Sequence, residues 1–125
     1  MLRVLVVEDH RDTADTMDTM LRLWGHVVVT AHDGSIAVRA AEHFGPDLVL
    51  LDIGLPGMDG YEVARQVRRL PGRQPVIVCI SGHAQAEDRR KAREVGCDHF
   101  LAKPAEPDTL QRLLREVEER LSPPA

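Results

Sequence analysis

The chain breaks repeatedly into short apolar runs that show no polar–apolar alternation. Leu48–Leu51 and Val76–Ile80 are unbroken, Val27–Val29 is a shorter run, and Leu2–Val7 is interrupted only by Arg3. A strand with one face in water alternates, whereas a strand covered on both faces does not. Each run is followed by a stretch with helical spacing, and a fifth strand, Asp98–Ala102, precedes a last helix. Five β-then-α units predict a parallel sheet with helices on both faces. Right-handed crossovers place helices one and five on one face and two, three and four on the other. The expected architecture is α/β, a doubly wound five-stranded parallel sheet in the flavodoxin-like order 2-1-3-4-5 with five helices.

The helical stripes are read from steps of three and four. Thr13, Met17, Met20, Leu21 and Trp24 mark helix one, which begins at Asp12 or a neighbour and stops at Gly25. Ile36, Ala37, Ala40, Ala41 and Phe44 mark helix two, closed by Gly45-Pro46. Helix three runs from about Tyr61 with Val63, Val67 and Leu70 inward, and Pro71-Gly72 ends it. Helix four, Ala84 to about Val95, can bury only alanines and Val95, so it is expected to pack lightly and move most. In helix five, Pro107 suits the first turn and Leu110, Leu113, Leu114, Val117 and Leu121 form the inner stripe. The domain is expected over 1–121, with Ser122-Pro123-Pro124-Ala125 a frayed tail or the start of a linker.

A length of 125 residues suits one domain with one core, and 43% hydrophobic residues argues for a globular chain. A net charge of −4 gives no electrostatic support for nucleic-acid binding. No apolar run is long enough to span a bilayer, and Met1-Leu2-Arg3 leads straight into a strand without a signal-peptide pattern. The two cysteines, Cys79 and Cys97, lack metal-type spacing. Cys79 lies in an apolar run and is expected to pack as a small core residue in a reduced, cytoplasmic setting. Of the six histidines, His26, His32, His43 and His99 read as surface or edge residues, while His10 and His83 follow polar strand ends.

Those strand ends carry the chemistry. Strand one exits at Glu8-Asp9, strand three at Asp52, strand four at Ser81-Gly82-His83 and strand five at Lys103-Pro104. Open α/β sheets place ligands at the carboxyl ends of their strands, and strands one and three flank the switch point. Three carboxylates meeting there repel one another unless a counter-charge intervenes. A hard divalent cation such as Mg²⁺ suits carboxylate oxygens and water. A cation, the Lys103 ammonium and the Ser81 hydroxyl around one carboxylate can hold a phosphoryl group, with Asp52 as nucleophile. Any one of these residues has an ordinary role: Glu8 and Asp9 opening helix one, Ser81 capping helix four, Lys103 in an ion pair. Their joint appearance at four strand ends on one edge is not explained by capping.

The segments Val6-Val7-Glu8-Asp9, Leu50 to Gly60, Ile80-Ser81-Gly82 and Phe100-Leu101-Ala102-Lys103-Pro104 resemble, in order and spacing, the receiver domain of two-component response regulators. The resemblance spans about Leu2 to Leu121. It implies that Asp52 accepts phosphate from a phospho-histidine of a sensor histidine kinase or a histidine phosphotransfer domain. It implies Mg²⁺ or Mn²⁺ on Glu8, Asp9, Asp52 and the Gly54 carbonyl, with Ser81 and Lys103 contacting the phosphoryl group. Phe100 takes the place of the switch aromatic that responds to the hydroxyl residue, and Lys103–Pro104 that of the family's cis peptide. Gly54 and His83 occupy the positions that flank the path of the hydrolytic water.

The sequence departs from the family at Ser81-Gly82, where Thr-Ala is frequent, and at Phe100, which lacks a tyrosine hydroxyl. The wording around Asp52 is similar to receivers attached to hybrid sensor kinases, so the chain is expected to act alone or within such a protein. The expected output surface is helix four, strand five and helix five, facing a downstream protein, with no direct nucleic-acid contact and no membrane insertion. The chain is read as a signalling module without external turnover. The rival is a small Mg²⁺-dependent phosphohydrolase using Asp52, which would want a second acid two residues on, where this chain has Gly54. A scaffold-only receiver is disfavoured by the full acid, hydroxyl and lysine set.

Overall fold

A computed structural model of the chain describes residues 1–121 except Pro56 and Ala84, so the predicted tail and the predicted first residue of helix four lie outside the described residues. Strands and helices alternate: β1 (Arg3–Val7), α1 (Arg11–Leu23), β2 (Val27–Ala31), α2 (Gly34–Phe44), β3 (Leu48–Asp52), α3 (Gly60–Arg69), β4 (Val76–Ser81), α4 (Ala86–Glu94), β5 (His99–Ala102) and α5 (Pro107–Leu121). The sheet order is β2-β1-β3-β4-β5, all parallel, as the alternation predicts. β3 is central and buried along its whole length. β2 is longer than Val27–Val29 because Thr30 and Ala31 continue the ladder opposite Val6 and Val7.

The two faces of the sheet form separate cores. Leu5, Val7, Val49, Leu51, Ile77 and Cys79 point toward α2, α3 and α4. Val4, Val6, Leu48, Leu50, Val78 and Ile80 point toward α1 and α5. Period-two side-chain alternation divides each apolar run between these cores, which is why polar members such as Arg3 are confined to strand ends. α4 contributes Ala92 and, at its C-cap, Val95, so its grip on the sheet is small.

Several stripe members point elsewhere. Thr13 is exposed and Ala14 is buried instead, because the buried arc of α1 is centred one residue later. Ile36 is half exposed near the start of α2, where Ala37 and Ala41 face the sheet. Leu121, at the end of α5, extends past the sheet and is exposed. His26 is buried rather than at the surface: its Nδ1 accepts the Leu2 N–H at 3.1 Å, and burial lowers its pKa. Cys79 packs in the core as its run predicts, but it is joined to Cys97 in a disulfide, with the Cα atoms 6.3 Å apart.

The end of the sheet away from β3's carboxylate is fastened by long-range polar contacts. Arg68 donates to the Gly96 carbonyl, the Pro75 carbonyl, Gln74 and the Asp98 carboxylate. Gly96 has φ +100°, a left-handed conformation, and the Arg68 side chain packs against its open face. The Met1 amino group pairs with Glu118 of α5.

Candidate functional site

Asp52 ends β3 opposite Ile80 of β4, and its carboxylate is buried at 5% exposure. One oxygen, Oδ1, accepts the Gly54 N–H at 3.0 Å and lies 3.1 Å from Lys103 Nζ. The turn that brings the Gly54 amide back onto the side chain follows from the break after the strand. Lys103 leaves β5 at the Lys103–Pro104 peptide, which is cis. Its stem reaches across β4's end to β3, so the ion pair spans two strand exits.

Glu8 is equally buried, and its pKa is pushed up to about 7. Burial is the largest cause, followed by a hydrogen bond to Asp52 and repulsion from its charge. Burial also pushes Asp52 up, but hydrogen bonds with Glu8, the Gly54 N–H and Lys103 outweigh it and hold Asp52 below its ordinary value. The pair therefore keeps its proton on Glu8 and its charge on Asp52. Asp9 hydrogen-bonds to Glu8, and oxygens of Glu8 and Asp9 lie with a His10 ring nitrogen inside a 4.8 Å cluster. The three carboxylates thus form a chain, Asp9 to Glu8 to Asp52.

Ser81 is buried, and its Oγ accepts the His83 N–H at 3.0 Å. It does not cap α4, whose N-cap is Gln85. α1 is entered through His10 without a side-chain cap, so neither Glu8 nor Asp9 serves as its N-cap. Asp52, Gly54, Ser81, His83, Lys103 and Tyr61 line a cleft of about 360 Å³ on the α4 side. Gly54 and His83 are exposed at this cleft. A larger groove of about 720 Å³ runs between α1 and α5, lined by Met17, Met20, Leu110 and Pro107, and also reaches Asp52 and Lys103. Phe100 is half buried against the α4 core, with the Arg89 guanidinium 4.8 Å above its ring.

Sequence reasoning missed two contributors. His32 Nδ1 lies 3.0 Å from the Glu8 carbonyl and braces the backbone of the acidic pair. Tyr61 lines the cleft, with the Lys91 ammonium 4.8 Å from its ring. Neither has a local signal, since both come from elements that touch the site only through the fold.

Residues 4–115 match the family described as the response regulator receiver domain. The chain belongs to that family. The receiver is 40% identical over 102 residues to the transcriptional regulatory protein PrrA of Mycobacterium tuberculosis, covering 82% of this chain and 43% of PrrA. It is 33% identical over 120 residues to the sensor histidine kinase RcsC of Salmonella typhimurium, covering 96% of this chain but 13% of RcsC. The chain thus spans less than half the length of either relative. Among solved structures, a CheY-like receiver domain from Methanospirillum hungatei superposes with a TM-score of 0.83 at 27% identity, covering 94% of each chain. The receiver is thus a signalling module of the response-regulator type, and one similar to it lies within the sensor histidine kinase RcsC. No described helix is long and apolar enough to cross a membrane.

Proposed function

We propose that this receiver takes a phosphoryl group from a phospho-histidine onto Asp52 and switches a protein-binding surface in response. The observation that carries the reading is a buried carboxylate that stays ionised because Glu8, the Gly54 N–H and Lys103 all bond to it, the last two at one oxygen. A buried carboxylate without such partners would be protonated and a poor nucleophile. In the transfer, an Asp52 oxygen forms a bond to phosphorus as the donor's N–P bond breaks, and the electron pair leaves on the imidazole. Lys103, and Ser81 once it turns from the His83 amide, would face the phosphoryl oxygens.

The donor set beside Asp52 is oxygen-rich, which fits Mg²⁺ or Mn²⁺ better than a thiophilic metal. Glu8, Asp9, Asp52 and the Gly54 carbonyl would hold it. Bound there, such an ion supplies positive charge against the phosphoryl oxygens. With its proton released, Glu8 would offer such an ion a carboxylate oxygen.

The donor histidine, from a sensor kinase or phosphotransfer domain, would approach through the α1–α5 groove, since of the two clefts that Asp52 and Lys103 line it is the larger and carries an apolar flank of Met17, Met20 and Leu110. Ser81 turning from the His83 amide toward the phosphate would free space on the α4 side, and Phe100 would fill it. The light packing of α4 supports the α4-β5-α5 face as output toward a downstream protein, in the cytoplasm. Gly54 and His83 border the path of the water that later removes the phosphate. The phosphohydrolase alternative gains nothing from the cleft, because the position two after Asp52 offers only a backbone amide. The test is incubation with a small phosphodonor and Mg²⁺, followed by intact mass. One base-labile phosphate is expected on wild type and none on Asp52→Asn. Undiminished labelling of a folded Asp52→Asn protein would overturn the assignment.

A further inference from the structure

Cys79 and Cys97 take no part in the phosphoryl site, yet they sit beneath its output side. Cys79 is in the middle of β4, two residues before Ser81 and paired in register with Phe100 of β5. Cys97 lies in the turn between α4 and β5. Their Cα separation of 6.3 Å is within the span of a disulfide, with Cys97 in the turn that leads into the β5 strand paired with β4. Both residues are buried, but Cys97 lies nearer the surface. Cys79 is 0% exposed, whereas Cys97 is 8% exposed and lines a small surface cleft of about 180 Å³. Arg89, Arg93 and His99 share that cleft with Phe100, while Asp98 at its edge is engaged by Arg68. The cleft is therefore suited to a small anionic disulfide.

We propose that Cys79 and Cys97 form a reversible dithiol–disulfide site, entered at Cys97, whose oxidation pins the α4–β5 turn to β4. The chemistry is thiol–disulfide exchange with a low-molecular-weight disulfide as oxidant. The Cys97 thiolate attacks one sulfur of that disulfide, expelling one thiolate and forming a mixed disulfide. Cys79, giving up its proton, then attacks the Cys97 sulfur and expels the second thiolate. The protein loses two hydrogens, and one disulfide becomes two thiols. A dithiol reverses both steps.

The consequence follows from the fold. Reduced, α4 would keep only a light grip on the rest of the fold among the described residues: Ala92 and Val95 in the core, Arg89 over Phe100 and Lys91 over Tyr61. Oxidised, the turn after it is covalently fixed to the strand that carries Ser81. This part of the inference rests on the proposed switch role of α4, and oxidation would restrain the motion that phosphate drives.

The test uses the full chain in glutathione redox buffers spanning reducing to oxidising ratios. Alkylation under native conditions and intact mass should show two blocked thiols when reduced and none when oxidised. Cys79→Ala should trap one glutathione, and Cys97→Ala should take up little. Hydrogen exchange over residues 86–100 should be roughly tenfold faster in the reduced protein, with β1 and β2 unchanged. Two free thiols at every ratio, preferential capture by Cys79, or equal exchange over 86–100 in both states would overturn the proposal. The wild-type titration needs no variant, so misfolding of either substitution leaves it decisive. Phosphodonor labelling is run in parallel: absent labelling in both states strikes the phosphoacceptor reading and leaves the redox result standing.

Discussion

Gly60→Ala should destabilise the receiver, although alanine is the better helix former. Gly60 opens α3 immediately behind the phosphoacceptor turn, and its N–H donates to the Ile53 carbonyl at 3.1 Å. A Cβ added there would lie 2.6 Å from Ile53 Cα, 2.7 Å from the Asp52 carbonyl oxygen and 3.0 Å from Ile53 Cδ1. Two of those three atoms are backbone and cannot rotate aside. Overpacking of this kind costs about 1–3 kcal/mol, and rigid neighbours put it near the upper end. Alanine returns at most about 1 kcal/mol through helix propensity, and less in the first turn. The net expectation is a loss of about 2 kcal/mol, or about 6–10 °C in Tm. Urea unfolding in the presence of a chelator measures it. Gly82→Ala is the matched control, because a Cβ there meets nothing within 4 Å. If Gly60→Ala matches wild type and the control in stability, the close approach of α3 to the β3 exit is wrong. Because the Asp52 carbonyl must move, slower phosphorylation should accompany the loss.

Three further outcomes are expected. Glu8, with its pKa raised from 4.5 to about 7, holds its proton longer in the folded than in the unfolded state. Its contribution is therefore full below about pH 4.5 and disappears as pH rises through 7, at most about 3 kcal/mol in all. Glu8→Gln does not titrate, so without metal it should gain on wild type between pH 5 and 8; a pH-independent difference in urea midpoint stability would refute this. Gly54→Leu should slow loss of phosphate, since Gly54 is exposed and a Cβ there meets only Asp52 Oδ1, at 3.7 Å. Decay of labelled protein at saturating Mg²⁺ is the measurement, and unchanged or faster decay would show that water access there is not limiting. Hydrogen exchange with a phosphoryl mimic should change mainly between Ser81 and Leu113; changes confined to α1 and α2 would count against the α4-β5-α5 surface.

The sheet was legible because burial on both faces leaves unbroken apolar runs, and Gly or Pro marks most helix ends. The strand exits were legible because parallel order turns four distant segments into one edge. Helix stripes were less so. The expected stripes included Thr13 and Ile36, which the structure exposes; Ala14 is pressed to the sheet in place of Thr13, while Ala37 and Ala41 are buried as expected. His26 looked like a surface residue because nothing local announces the Leu2 amide it accepts. The Cys79–Cys97 pair and the Arg68 contacts depend on the register of β4 against β5. Neither spacing nor composition encodes that register.

The Met1–Glu118 pair has a practical meaning. β1 starts, and the antiparallel-running α5 finishes, at the edge of the sheet opposite Asp52. A dye, tether or fused reporter joined near Met1 or Leu121 would therefore leave the phosphoryl cleft open to solution. Immobilised by either end on a sensor chip, the receiver should present its reactive edge outward, with the α4-β5-α5 flank still reachable from the side.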